Sequence, residues 1–443
     1  MPVSATNQWI NLTGLAVLTV VSLGTIVGGI NPAIALLLAM AGYAVPVAAL
    51  EAWLLKVHRR PSTGLDWELA RRRTVDWGRV RVKLIGLAGS VAAVAIAHWS
   101  MRFYVPADMA LAGSLALIAL PVAAIVAIPY VACVDRAMRE PKDGCWHMGN
   151  LLLGRLGGID RRALSDHLLG WAIKGFFLPI MIVYLLKTLS RLQANVAWPT
   201  ESFVLAVRWL TDYAAALELA IVCTGYLCTF RLLDAHIRSP NRLLAGWVVT
   251  LACYEPFNRV VTGGVLRYAS GRQWHDWFGD VPALAIPWAV ALLASFAVWI
   301  WATAAYGLRW SNLTHRGIIT NGPYRFTKHP DYVAKTIFFW LVNVPFLSEG
   351  GPIVAFKAML LLGLINLIYF GRARMEERHL SEDPDYVAYA LAMNERSVFR
   401  GLARIAPGLR YRPPAGSAAG AAAGQPTGSL ALANAAAVPG ERN

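Results

Sequence analysis

Asn321-Gly-Pro-Tyr-Arg-Phe-Thr-Lys-His-Pro-Asp-Tyr332 is polar, is broken by Pro323 and Pro330, and stands between an apolar run ending near Leu308 and another starting at Val333. A segment so rich in hydrogen-bonding groups cannot lie in hydrocarbon unless its backbone finds partners inside the protein. It is therefore expected to line a pocket at a membrane surface. A second polar cluster, Arg372-Ala-Arg-Met-Glu-Glu-Arg-His379, again follows directly on an apolar run. Between the two clusters lie Val333 to Leu347, a Ser348-Glu-Gly-Gly-Pro352 turn and Ile353 to Phe370. Both apolar segments are near the lower limit for spanning a bilayer. At about 1.5 Å per residue they predict a hairpin across roughly 25 Å, with both polar clusters on one side.

The rest of the chain carries the same signature. With 443 residues, 57% of them hydrophobic and only 15% charged, it is too apolar for a soluble globular protein and reads as a multi-pass integral membrane protein. The net charge of +15 is concentrated in loops between apolar runs. That is the positive-inside pattern, with an attraction to anionic membrane lipid, and it argues against nucleic acid as a partner. Cys133, Cys145, Cys223, Cys228 and Cys253 are scattered without metal-ligand spacing, so neither a metal site nor a disulfide framework is expected. The N-terminus lacks a basic n-region, and no cleavable signal peptide is read there.

In chain order, Ile10 to Ile30 and Ala33 to Leu55 form a first hairpin turning at Asn31-Pro32. The loop from Lys56 to Lys83 carries Arg59, Arg60, Arg71, Arg72, Arg73, Arg79 and Arg81 against Asp66, Glu68 and Asp76, which places it and the N-terminus in the cytoplasm. Leu84 to His98 with Met109 to Val134, and Leu168 to Leu186 with Phe203 to Cys228, supply two further pairs. Leu243 to Val265 is a seventh, broken span, interrupted by Glu255, Pro256, Asn258 and Arg259. Val281 to Leu308 is an eighth, and the hairpin adds two more. The fold class is all-α: a polytopic transmembrane helical bundle of about ten spans. Residues 1–280 form an N-terminal transmembrane region, 281–412 hold the polar clusters, and the Ala/Gly/Pro-rich 413–443 is expected to be disordered.

Gly322-Pro-Tyr-Arg325, Lys328-His-Pro330 and Tyr332, followed by a short hydrophobic hairpin, Glu376-Glu377 and Asp385-Tyr-Val-Ala-Tyr389, resemble the isoprenylcysteine carboxyl methyltransferase and phospholipid methyltransferase superfamily. The resemblance covers roughly residues 281 to 405. It implies a methyltransferase-like helical hairpin core, S-adenosylmethionine as cofactor, and a lipidic or prenylated acceptor reached from the bilayer; the alternation of spans puts the site on the cytoplasmic face. It further implies that Pro323, Tyr324, Lys328, His329, Pro330, Tyr332, Glu376 and Glu377 border the cofactor, and that Arg325, His329, Arg374 and Glu377 serve catalysis. The chain departs from the pattern at Lys328, where arginine is usual, and at Asp331, an added negative charge. The Gly-x-Gly of the phospholipid N-methyltransferases is missing from Val281 to Leu308.

The residue types suit the cofactor. A ligand with a carboxylate, an ammonium, a diol and a sulfonium needs cations, anions and aromatic faces close together. Arg325 and Lys328 are candidates for its carboxylate, Glu376 or Glu377 for the ammonium or diol, and Tyr324 or Tyr332 for the adenine or sulfonium. His329 is the proton acceptor if the acceptor group needs a base.

Plainer readings stand beside these. Arg372 and Glu376 are spaced as an i, i+4 surface pair worth about 0.3–0.5 kcal/mol, and His329-Pro330 suits a helix start. Arg208 and Asp212 are expected to satisfy each other in the sixth span, while Glu218 and Glu255 lie at membrane depth. Cys145-Trp-His147 reads as an interfacial anchor. Two other functions remain open. The ending Arg404-Ile-Ala-Pro-Gly-Leu-Arg-Tyr411 and the span count are similar to the NADPH-dependent sterol reductases, and Glu218 with Glu255 would suit an ion-coupled transporter.

Overall fold

The computed structural model describes residues 1–101, 106–268 and 272–414. The segment read as disordered thus lies, beyond its first two residues, outside the described residues. The helices of eight or more residues are α1 Gln8–Val27, α2 Pro32–Leu54, α3 Trp77–Met101, α4 Pro106–Ala137, α5 Gly144–Leu152 and α6 Arg161–Ala194. They continue with α7 Phe203–Leu227, α8 Leu244–Leu251, α9 Pro282–Ala305, α10 Pro330–Asn343, α11 Pro352–Leu380 and α12 Pro384–Arg396. An antiparallel pairing, β1 Ser239–Pro240 with β2 Thr314–His315, clips two loops together.

Seven of these helices are long and apolar enough to cross a membrane: α1, α2, α3, residues 120–137 of α4, α6, α9 and α11. Their outward faces carry bare hydrocarbon, as at Val20, Ile125, Leu284 and Leu367, all more than half exposed. In water such a surface would drive association; in lipid it is the expected exterior. α7 has the length of a span, at 25 residues, but includes Arg208, Asp212 and Glu218.

Local sequence accounts for the hairpins. Asn7 caps α1 by accepting hydrogen bonds from Trp9 N and Ile10 N, and Asn31 caps α2 ahead of Pro32 at its first position. α1 lies so close to α2 that a Cβ on Gly14 would stand 2.3 Å from Val47 Cγ2. The contact of α3 with α5 is closer still and reciprocal. A Cβ on Gly86 would meet the Cys145 carbonyl oxygen at 2.0 Å, and one on Gly149 the Val82 carbonyl oxygen at 2.0 Å. The main core lies among α1, α2, α6 and α7, around Leu18, Tyr43, Ile173, Phe177, Leu185, Ile221 and Tyr226.

Several sequence expectations change. Arg208 and Asp212 do not pair: Asp212 accepts two hydrogen bonds from Arg191, at 2.7 Å each, and Arg208 lies over the Trp198 ring at 5.1 Å. Helix-to-helix geometry outcompetes the i, i+4 option because α6 packs along α7. The segment 243–265 is broken, as read: α8 stops at Leu251, and Phe257–Val260 leads into a π-turn at Val261–Val265. The apolar segment after the first polar cluster starts earlier and ends sooner than expected, as the 14-residue α10, about 21 Å long. α11 runs on to Leu380, so the second polar cluster forms its last turns, in keeping with the helical spacing read for Arg372 and Glu376.

Residues 306–329, which link α9 to α10, are largely non-helical yet buried, and two guanidinium groups hold them. Arg316, 2% exposed, donates to the carbonyls of Gly225, Trp310, Cys228, Leu308 and Ala235. Gly225 and Cys228 close α7, so Arg316 satisfies carbonyls that a helix end leaves without partners. Arg309 pairs with Glu51 of α2 at 2.7 Å, both side chains fully buried, and donates to the carbonyls of Asp234 and Leu233. Removing one member of such a pair leaves a buried charge uncompensated. Arg309→Met is therefore expected to lower stability by about 3–5 kcal/mol, read as a lower melting temperature in detergent. Adding Glu51→Leu should recover part of that loss, and a double variant no more stable than the single one would contradict this account.

Candidate functional site

The polar stretch is fixed from behind by the chain's N-terminal residues. Ala5 N donates to Ile318 O, Thr320 N to Ser4 Oγ, Asn321 Nδ2 to Thr6 O and Gly322 N to Gln8 Oε1. Gly322 adopts a φ of +55°, which favours glycine, and turns the chain into the helical turn Gly322–Arg325. The next residues run to His329, which precedes Pro330 at the first position of α10. The start of α10 and the end of α11 then stand side by side.

Glu377 of α11, 4% exposed, is the centre of a charge cluster. Its Oε1 lies 2.6 Å from Lys328 Nζ and 3.3 Å from His329 Nε2, and its Oε2 accepts from Arg374 Nη1 at 2.6 Å. Glu376, one position earlier and so about 100° around the helix, faces elsewhere. It accepts from Tyr332 OH at 3.0 Å and lies 4.0 Å from His329 Nδ1. The His329 and Tyr332 rings stack at 5.5 Å and 11°. Burial opposes protonation of His329, but the hydrogen bond to Glu377 and the two nearby carboxylates outweigh it and raise its pKa above the ordinary value. Burial pulls the Lys328 pKa down, and the Glu377 charge offsets part of that effect.

Two cavities meet at this cluster. The first, about 60 Å³, is lined from β2, α8, α10 and α11 by residues including Thr250, Asn312, Asp331, Lys335, Arg372 and Glu376. The second, about 50 Å³, is lined by Tyr324, Lys328, His329, Glu376, Tyr386 and Tyr389 among others. Tyr306, Ser311, Thr314 and Glu376 border both. The buried Tyr386 hydroxyl in the second cavity has no hydrogen-bond partner among the described residues, whereas Tyr389 OH donates to Tyr324 O at 2.8 Å and ties α12 to the polar stretch. The C-terminal segment closes the same side through Tyr411, whose hydroxyl is 2.7 Å from Ser381 Oγ and whose backbone exchanges hydrogen bonds with Asn394.

Of the residues expected at the site, Tyr324, Lys328, His329, Tyr332, Glu376, Glu377 and Arg374 come together, and Pro323 and Pro330 shape the backbone beside them. Arg325 does not join: it is exposed and lines neither cavity. Its position in the helical turn directs it away from α11. Arg372 is not the surface partner of Glu376 that its spacing allowed. It is 5% exposed, forms no ion pair among the described residues, donates from Nη2 to Asn312 Oδ1 at 3.1 Å and leaves Nε without a partner. The Tyr254, Tyr332 and Tyr369 rings surround it at 5.2–5.6 Å. Sequence reasoning missed Asn312, Thr250 and Lys335. Only the polar Ser311-Asn-Leu-Thr314 directly after a span could have flagged the first of these.

Comparison of the chain with protein-family models, with curated proteins and with solved structures gives no match.

The His329–Glu377 contact has a pH signature. Because the folded-state pKa of His329 lies above its ordinary 6.5, the stability it contributes is fully present below 6.5 and is lost as pH rises through the raised value. The melting-temperature difference between the native chain and His329→Gln is expected to be largest at about pH 6 and to shrink at higher pH. Glu377→Gln should flatten that dependence. A difference that grew with pH would show that His329 is held neutral.

Proposed function

We propose that this protein is an integral-membrane, S-adenosylmethionine-dependent methyltransferase acting on a lipidic or prenylated acceptor, with its site on the cytoplasmic face. The observation that carries the reading is the pair of adjoining cavities that share Glu376. One is walled by the tyrosines and the charge cluster of the resembled motif, the other by the Arg372 guanidinium, which forms no ion pair among the described residues. A two-substrate transfer needs two such compartments with a common border.

The donor set fits the cofactor. The unpartnered Tyr386 hydroxyl, the faces of Tyr324 and Tyr389, and the Glu376 carboxylate suit a ribose, an adenine and an ammonium. When bound, the cofactor supplies an electrophilic methyl group for in-line displacement. Within the chain, Lys328, His329 and Arg374 hold Glu377 in one rotamer. His329, favoured as an imidazolium, orients both carboxylates and is a poor proton acceptor below its raised pKa. Glu376, with a single neutral donor, is the carboxylate left for ligand or proton. Arg372 replaces Arg325 and Lys328 as the cation available to an oxyanion. At about 60 and 50 Å³ the cavities have room for only a few waters each, too little for a nucleoside. Entry of a ligand therefore requires α12 to part from α11.

A reductase reading rests on Tyr411, which packs under the Lys328 ammonium at 5.5 Å and brings the Arg404 to Tyr411 segment onto the cluster. Calorimetry on the purified chain with S-adenosylhomocysteine and with NADPH, separately, decides between the two. Methyl transfer predicts micromolar binding of S-adenosylhomocysteine, weakened at least about tenfold by Glu376→Ala or His329→Ala. Binding of NADPH alone would overturn it.

A further inference from the structure

The segment that leaves α12, from Arg396 to Arg412, carries Arg396, Arg400, Arg404, Arg410 and Arg412 and no acidic residue. Arg410 pairs with Glu395 at 2.7 Å, and the other four, all exposed, form no ion pair among the described residues. The larger apolar side chains of the same segment are turned outward: Val398 is 65% exposed, Leu402 52% and Ile405 84%. Ala403 and Tyr411 are the ones it buries. A loop surrounded by water is not expected to gather its aliphatic side chains into one bare patch.

That outward face is held from behind. Tyr411 is fixed by Ser381 and Asn394, and Val398 N donates to Phe326 O at 3.0 Å, which sets the exposed Phe326 and Arg325 beside the segment. The face also has a definite level. Phe370 closes the apolar run of α11, just ahead of Gly371 and Arg372, and a Cβ on Gly408 would lie 3.9 Å from Phe370 Cζ. Phe370 is itself exposed, one turn after the lipid-facing Leu367. Residues 398–409 therefore pass where the hydrocarbon ends, on the side of the polar clusters, and their bare apolar face continues that of α11.

We propose that Val398, Leu402 and Ile405, with Phe326 beside them, form an interfacial anchor for an anionic leaflet: the apolar side chains enter its headgroup layer, and Arg400 and Arg404 meet its phosphates. A segment that joins apolar and basic groups at the boundary of hydrocarbon and water binds in this manner. Two observations select lipid as the occupant. The face is continuous with the lipid-facing side of α11, and its free charges are of one sign, opposite to that of an anionic leaflet. The inference does not depend on the methyl-transfer reading. It also gives Arg325, which the Glu377 cluster leaves out, a place at the rim of the anchor.

The test uses the full chain in bilayer discs of phosphatidylcholine, alone or in equal parts with phosphatidylglycerol. A thiol-reactive fluorophore is placed at Ile405→Cys, and at Leu402→Cys in case the first variant fails to fold; the native chain, labelled on its own cysteines, gives the background. Glu382→Cys is the reference, since Glu382 is exposed at the turn after α11, about 15 Å or more beyond Phe370 along the helix. A nitroxide carried on the lipid headgroup is expected to quench the label at 405 or 402 at least about twofold more than the label at 382. Phosphatidylglycerol should deepen that quenching, and Arg400→Gln with Arg404→Gln, or about 0.5 M salt, should remove the increment. Equal quenching at 405, 402 and 382 would overturn the inference. So would shielding of 405 from both lipid-borne and aqueous quenchers, which a protein partner or a second copy covering the face would produce. Quenching indifferent to phosphatidylglycerol would overturn it too, because the arginines would then meet no anionic headgroup.

Discussion

The structure depends on a buried cation that gathers backbone carbonyls. The link from α9 to α10 must cross the interior of a helical bundle without being a helix, and its own amides cannot satisfy the groups it passes. Arg316 solves this by donating to five carbonyls, two of them at the end of α7. Arg309 does the same for the 233–234 turn while pairing with Glu51. Arginine suits the task better than lysine because its five donors are fixed in a plane and it does not lose its proton on burial. With these two groups in place, the polar stretch arrives beside α11 at a fixed height, and the N-terminal residues lock it from the other side.

From that placement the chemistry follows by helix geometry. Adjacent carboxylates on one helix point about 100° apart, so Glu376 and Glu377 meet different surroundings and share only the His329 ring, one at each nitrogen. Glu377 falls among three cations and becomes structural, a fixed anion that sets the orientation and protonation of His329. Glu376 falls between two cavities, accepting from the Tyr332 hydroxyl and with the His329 ring at the longer distance of 4.0 Å. The division of roles between neighbouring glutamates is thus a consequence of where α10 begins, which Pro330 decides.

Much of this was legible in the sequence, for identifiable reasons. The apolar runs gave the helices, because lipid demands the same long, uninterrupted signal wherever it is crossed. The breaks at Glu255-Pro256 and Gly263-Gly264 likewise mark a segment that the structure divides into short helical pieces. His329, Tyr332, Glu376 and Glu377 could be grouped because a short hairpin leaves its two ends few alternatives. Arg372 and Asp212 were misread because i, i+4 spacing says only what is possible along one helix. The choice lay with Asn312 in the first case and with Arg191 on α6 in the second. Thr250 and Lys335 carry no local signal: their meaning depends on which helices face one cavity, which no window of sequence records.

The central claim is that Glu376 stands where a methyl group passes from donor to acceptor. The most direct measurement is transfer of radiolabelled methyl from S-adenosylmethionine into an organic-extractable product by the purified chain supplied with membrane lipid extract. The account predicts label in the lipid fraction with the native chain and its loss in Glu376→Gln, with Arg325→Gln retaining it. No label from a folded chain that binds the donor, or label undiminished in Glu376→Gln, would contradict it.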